Sequence, residues 1–285
     1  MNKVFIFPNF TKSDTTAVTE SAVHAFYELG FSVYLEEESR EYLSAAVQKK
    51  CGFFPYASCL EKCEFITVIG GDGSILRIAT DAARNQKPIL GINTGKVGFM
   101  SELDPHELIY LRDLVKGNYT IDSRMMLDAT ILRGNKTLYH APLLNDAVIT
   151  KGTLVRLINI DVSINGTRTT ALRGDGIIVS TPTGSTAYTL SAGGPIIEPN
   201  ANCIAVTPIC AHELGAKPFV VSDDRKIEIL AGTSENPAFF SPDGAAPLEL
   251  SPADIVVLER SQLKTKLIRL KNLGFYDIVY KKLSK

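Results

Sequence analysis

Apolar and polar positions follow two different rhythms along the chain. Over the first third, short apolar runs at 4–7, 31–35, 65–69 and 88–92 alternate with stretches of helical spacing. The run at 65–69 is apolar apart from Thr67, the pattern of a central parallel strand covered on both faces. After the first run, Ser13 or Asp14 can cap a helix that Gly30 stops, and Ala22, Ala25, Phe26 and Leu29 form its buried stripe. A second helix is expected from Ser74 to about Arg84. A third starts at Asp104-Pro105 and stops at Gly117. Strands alternating with helices predict a doubly wound domain on a parallel sheet.

Near residue 118 the helical period gives way to a period of two. Residues 126–132 lead through Gly134-Asn135 into a return strand from 137. Ile158, Ile160, Val162 and Ile164 alternate with Asn159, Asp161 and Ser163, and Asn165-Gly166 supplies a two-residue hairpin turn to a strand at 167–172. Further strands are expected at 177–179, 204–207, 219–221, 227–230 and 255–258, which predicts a β-sandwich. The tail from 272 to 283 reads as a helix with Phe275, Ile278 and Val279 on one stripe, expected to return to the first domain. The expected organisation is an α/β domain over 1–118, an all-β domain over 119–262 and a C-terminal segment over 263–285 that packs back on the first.

Composition narrows the function classes. A net charge of -1 gives no long-range pull toward nucleic acid or acidic membranes, and no run reaches the ~20 apolar residues of a membrane span. The first ten residues read as a strand and not as a leader. Cys51, Cys59, Cys63, Cys203 and Cys210 include no Cys-x-x-Cys pair, so reduced cytosolic thiols are expected, and no fixed protein metal site.

Four segments carry candidate chemistry. Gly70-Gly71-Asp72-Gly73-Ser74 joins an apolar strand to a helix, where bare backbone and unpaired N–H groups suit phosphate. Asp72 repels a phosphate unless it orients or deprotonates an attacking hydroxyl, or helps to hold Mg²⁺. The plain alternative is an Asx turn or helix cap. Donor phosphates are expected on Gly70, Gly71, Gly73 and Ser74, with Arg77. The segment Gly-Ile-Asn-Thr-Gly-Lys-Val-Gly-Phe at 91–99 follows the next strand, hence at the same carboxyl edge of the sheet. Its spacing is not that of a P-loop. Asn145-Asp146 offers an amide beside a carboxylate, suited to an adenine edge and ribose hydroxyls, or to a strand end. Arg173-Gly174-Asp175-Gly176 leads by an apolar strand to Thr-Pro-Thr-Gly-Ser-Thr-Ala-Tyr at 181–188, a loop of small and hydroxyl-bearing residues ending on a ring. His212 reads as a satisfied polar core residue, His24 and His106 as surface residues, and Asp243-Gly244 as a hairpin turn.

Together these segments resemble the NAD kinase family over most of the chain. The glycine turn with Asp72 is shared with diacylglycerol, sphingosine and phosphofructokinases. The specific parts are 91–99, Asn145-Asp146, and 181–188 running on to Ser191-Ala-Gly-Gly-Pro195. Thr207-Pro-Ile-Cys-Ala-His212 is also similar to a family segment. The resemblance implies an α/β domain, a β-sandwich and a site in the cleft between them. It implies phosphorylation of the 2′-hydroxyl of NAD's adenosine ribose to give NADP, with Asp72 as proton acceptor. It implies NAD contacts from Asp72, Gly73, Asn145, Asp146, Asp175, Thr186, Ala187, Tyr188, Thr189, Leu190 and Ser191, and less uniform ones from Arg156 and Arg173. ATP or another donor would bring Mg²⁺, without a tightly bound organic cofactor. A homotetramer in the cytoplasm is implied. Asp146 stands where members often carry Glu, Ala245 where a polar residue is common, and Cys210 where an apolar residue or proline is common.

Two rival readings remain at this point. A lipid kinase would share the Asp72 turn but should lack the 181–188 loop. A nucleotide sensor would only grip phosphate and gains nothing from a carboxylate.

Overall fold

The computed structural model describes residues 1–12, 14–95, 98–152, 156–213, 215–233 and 235–283. Ser13, one of the two expected helix caps, lies outside them, as do Lys96 and Val97 of the 91–99 segment. The chain forms two compact units, one of Met1–Ser123 with the described residues from Thr265 onward, the other of Arg124–Lys264.

The first unit opens with β1 (Lys3–Pro8), α1 (Thr15–Glu28), β2 (Ser32–Glu36), α2 (Ala45–Gln48), β3 (Cys51–Phe54) and α3 (Tyr56–Lys62). It continues with β4 (Phe65–Gly70), α4 (Asp72–Arg84), β5 (Ile89–Asn93) and, after a 3-10 turn at Pro105–Leu111, α5 (Arg112–Lys116). Its strands run parallel in the order β5-β4-β1-β2-β3. All of β4 is buried, including the backbone around Thr67. On α1, Ala22 and Phe26 are buried and Ala25 and Leu29 are half-buried, and Gly30 ends the helix at φ +82. Asp104 and Glu107 form a capping box, and Gly117 closes α5 in the left-handed region. The segment 37–62, for which the hydrophobic pattern predicts no element, holds α2, β3 and α3. These are short, and β3 is only half-buried, so no long period marks them.

The second unit contains β6 (Thr120–Arg133), β7 (Lys136–Leu143), β8 (Asp146–Lys151), β9 (Ile158–Ile164), β10 (Thr167–Gly174) and β11 (Gly176–Ser180). A short helix α6 (Tyr188–Ser191) precedes β12 (Cys203–Ile209), β13 (Phe219–Ser222), β14 (Ile227–Ala231), β15 (Ala238–Pro242), β16 (Leu248–Leu250) and β17 (Asp254–Arg269). The first strand of this list begins, and the last ends, in the first unit. Asn165 and Gly166 both take positive φ, the geometry that a two-residue hairpin requires. The antiparallel strands β13-β12-β11-β8-β15-β16 form one layer; β10-β9-β14-β17 and the β6-β7 hairpin supply the other. Ala147, Ile149, Ile177, Val179, Ile204 and Phe240 of the first layer meet Leu127, Ile160, Val162, Ile229 and Val256 of the second in one apolar core. This is the expected sandwich.

The chain then closes the first unit. Leu267 of β17 pairs with Ile89 of β5 in parallel. The last helix, α7 (Phe275–Leu283), half-buries Phe275, Ile278 and Val279 on one stripe.

Candidate functional site

In the first unit, β4 delivers the chain to Gly70 and Gly71, and α4 begins at Asp72. Gly70 is required by space: a Cβ there would stand 2.3 Å from the hydroxyl of Ser74. Asp72 occupies the first turn of α4, where the helix dipole favours negative charge. Its carboxylate is held by the other glycine segment. Phe99 N donates to Oδ2 at 2.7 Å, and Met100 N, Ser101 N and Ser101 Oγ donate to Oδ1 at 3.2, 3.3 and 3.2 Å. Gly98 permits this approach, because a Cβ there would lie 2.0 Å from Asp72 Oδ1. Thr94 N donates to Gly70 O, so the turns after β4 and β5 are also joined directly.

The loop that holds Asp72 is itself anchored. Arg269, at the end of β17, donates to Met100 O at 3.1 Å and pairs with Glu102 at 3.3 Å and Asp122 at 3.0 Å. Glu102 in turn accepts from Leu270 N and Lys271 N. Lys282 of α7 lies 4.0 Å from the centre of the Phe99 ring. Burial lowers the pKa of this ammonium, against the opposing charge of Asp72. Arg77, expected among the donor-phosphate residues, lies 5.6 Å from the centre of the Phe7 ring and acts electrostatically on Glu36 and Tyr56.

In the second unit, Asn145 and Asp146 stand where the chain enters β8. Asp243 accepts from the N–H groups of Leu144 (2.7 Å), Asn145 (2.7 Å) and Asp146 (3.0 Å). Asp243 is therefore more than the hairpin turn that Asp243-Gly244 suggests: its side chain shapes the backbone of the Asn145-Asp146 pair. No sequence signal marks this, since the partners lie 97 to 99 residues away. Asp146 is 5% exposed, and burial first, then the charge of Asp243, push its carboxyl up to about 7. Burial also raises Asp243, against the three amides that lower it.

The 181–188 loop is a rigid turn in its first half. Thr181 N donates to Asn145 O and Thr181 Oγ1 to Leu144 O, and a Cβ at Gly184 would stand 2.1 Å from Asn145 O. Ser185 Oγ donates to Pro182 O and accepts from Ile197 N, while Arg124 reaches Thr183 Oγ1. What this buried scaffold presents is the second half. Thr186, Ala187 and Leu190 are half-buried, and Tyr188 and Ser191 are exposed.

Strand register gathers further polar groups on the sheet face turned away from the sandwich core. Asp146 pairs with Ser180, and Ile178 with Thr207. Thr189 adjoins them: a Cβ at Gly194 would touch both Thr189 Cγ2 (2.5 Å) and Thr207 Oγ1 (2.7 Å). Among the described residues, Asn145 Oδ1 and the hydroxyls of Ser180, Thr189 and Thr207 are buried without a hydrogen-bond partner. Orphaned buried polar atoms are costly. A polar ligand against this face would satisfy them.

Not every expected residue belongs to that group. Asp175 precedes β11 and Ser180 ends it, so the two stand roughly 15 Å apart along the strand. Asp175 pairs with Lys151 at 2.6 Å. Ile158 pairs with Gly174, which puts Arg156 and Arg173, both exposed, at that far end. His212 is exposed and is not the core residue expected. β12 ends at Ile209, and Cys210 turns the chain with φ 45. Among the described residues no three His, Cys, Asp or Glu side chains converge as a metal cage. Burial pushes Cys51 and Cys59 up to about 12, so these thiols remain protonated at neutral pH. Among the described residues no helix is long and apolar enough to cross a membrane.

Comparison with known proteins gives the family. The family model described as the ATP-NAD kinase N-terminal domain matches residues 4–119, and that of the C-terminal domain matches 144–270. An NAD kinase of Thermoanaerobacter sp. (strain X514) is 36% identical over 100% of this chain and 99% of its own length. One of Symbiobacterium thermophilum is 42% identical over 78% of each chain. Among solved structures, an Archaeoglobus fulgidus NAD kinase in complex with ATP superposes with TM-score 0.74 at 25% identity, covering 100% of this chain and 99% of its own. A yeast NADH kinase complexed with NADH has TM-score 0.87 at 21% identity, covering 100% and 87%, which speaks to the fold. On both family models and on relatives matched over their whole length, the chain belongs to the ATP-NAD kinase family.

Proposed function

We propose that this protein is an NAD kinase, transferring the γ-phosphoryl group of ATP to the 2′-hydroxyl of NAD's adenosine ribose, with Asp72 as proton acceptor. The observation that carries the reading is the fixation of Asp72. A carboxylate at the N-terminus of α4 has both oxygens located by donors of residues 99–101. Among the described residues Oδ2 accepts one bond, from Phe99 N, which leaves a lone pair for a sugar hydroxyl. A loose phosphoryl-transfer transition state asks little of a base and much of alignment. A carboxylate locked by four donors supplies alignment. The γ-phosphorus–oxygen bond to ADP breaks as the bond to the 2′-oxygen forms, and the hydroxyl proton passes to Asp72.

The donor phosphates fall to Gly70, Gly71, Gly73 and Ser74 in this reading, and Arg77 is left to steady the helix beside Phe7. We assign the adenosine end of NAD to Asn145, Asp146 and the presented half of the loop, Thr186 to Ser191, with Gly73 beside the ribose. The unpaired Asn145 Oδ1 and the hydroxyl of Thr189 support this. Arg156, Arg173 and Asp175, at the far end of β11, we assign to more distant contacts with the same dinucleotide, and we propose a homotetramer. The described residues do not form a cage for a protein-held divalent ion. Mg²⁺ would arrive with the nucleotide and neutralise charge on its phosphates. A cytoplasmic setting is proposed from the free thiols.

Incubation with NAD, MgATP and a coupled NADP-specific dehydrogenase tests the reading. NADP should accumulate, while diacylglycerol offered in place of NAD should remain unphosphorylated. Binding of NAD with no NADP formed would turn the assignment toward a nucleotide sensor.

A further inference from the structure

The strand order β5-β4-β1-β2-β3 reverses direction between β1 and β4. In open parallel sheets the carboxyl ends of the strands at such a switch point flank the binding crevice. Here β4 ends at Gly70, and β1 runs into a short loop that leads to Lys12. That loop is tied to the glycine turn. Asn9 N donates to Ile69 O at 2.9 Å, Asn9 Nδ2 donates to Ser74 Oγ at 3.1 Å, and Lys12 N donates to Asn9 O at 3.4 Å. As a result the ammonium of Lys12 lies 3.3 Å from where a Cβ on Gly71 would stand, and 3.5 Å from the same position on Gly95. One cation overlies both glycine turns.

The electrostatics of this placement call for an anion. A positive charge beside a helix N-terminus is unfavourable, because the exposed N–H groups already carry partial positive charge, and the Asp72 carboxylate in that first turn is engaged by the donors of residues 99–101. Among the described residues no carboxylate forms an ion pair with Lys12. Its flexible stem and three donors suit a phosphate, which Lys grips as a point charge. The two bare turns below it leave room for phosphate oxygens.

We infer that Lys12 grips the terminal phosphates of the nucleotide donor, closing over Gly71 and Gly95 from the β1 side. This deepens the kinase reading above and rests on it for the identity of the donor. The side chain would act on the donor alone, since it contributes no group toward the sugar of NAD.

The test uses the full-length protein, Lys12→Met and Lys12→Arg. ATP and inorganic tripolyphosphate are titrated by calorimetry, and KM is measured separately for ATP and NAD. Lys12→Met should weaken both polyphosphate ligands by roughly ten- to a hundredfold, the range of a lost charge-assisted hydrogen bond. KM for ATP should rise accordingly, KM for NAD should stay within twofold, and Lys12→Arg should recover most of the loss. Unchanged polyphosphate affinity in Lys12→Met, or an equal loss of NAD affinity, would overturn the inference. Calorimetry needs no turnover. A wild-type protein that made no NADP would therefore count against the kinase reading, while the Lys12 titration would still give its own answer.

Discussion

The two units treat a carboxylate in opposite ways. Asp72 is half-buried at a helix N-terminus and surrounded by donors, three backbone amides and one hydroxyl. Asp146 is almost fully buried beside a second acid, Asp243, which takes the three local amides for itself. One environment holds a charge in place, and the other resists it, raising Asp146 to about 7. Aspartate can do two jobs here: presenting a fixed acceptor to a reacting hydroxyl, and recognising a ligand with a group poised between its charged and neutral forms.

The largest effect should come from breaking the first environment. Asp72→Asn replaces an acceptor oxygen by an NH₂ that faces the N–H groups of 99–101. Turnover should fall by roughly 10²–10⁴ while NAD affinity stays within a few-fold, measured by steady-state kinetics and calorimetry. Near-normal turnover would remove Asp72 from the chemistry. Gly98→Ala reaches the same carboxylate indirectly, since the added methyl meets Oδ1. A displaced carboxylate should cost up to roughly 10²-fold in turnover.

In the second environment, Asp243→Ala leaves three amides without their acceptor. It should cost on the order of 3 kcal/mol of stability in denaturant unfolding and raise KM for NAD. Asp146 provides a pH signature. Its raised pKa contributes stability that is present at low pH and lost as pH rises through about 7. Asp146→Asn should abolish that slope, and melting curves from the ordinary carboxylate value of 3.8 up to about 7, where the wild type loses this contribution, would show it. The smallest effect is expected from Thr189→Val, which removes an unpartnered hydroxyl. Stability without ligand should change by less than about 1 kcal/mol while KM for NAD rises several-fold. Unchanged KM would free Thr189 from the NAD site.

Regular elements were legible where a period ran unbroken. The hairpin at Asn165-Gly166 shows its alternation and its turn chemistry in the residues themselves, and the structure has both at positive φ. β17 was legible only at 255–258. The strand runs on to Arg269 because exposed Glu259 and Arg260 interrupt the apolar pattern without breaking the ladder. The glycine turn with Asp72 and the Asn145-Asp146 pair could be picked out by residue type. The groups that position them could not. Phe99 to Ser101, Arg269 and Asp243 act through contacts that sequence spacing does not encode.

The most direct measurement is the identity of the product. NMR of the dinucleotide formed from NAD and MgATP, with ³¹P observed through its coupling to the ribose protons, should place one new phosphomonoester on the 2′-carbon of the adenosine ribose. A phosphate on any other hydroxyl, or a dinucleotide recovered unchanged while ATP is consumed, would contradict the account.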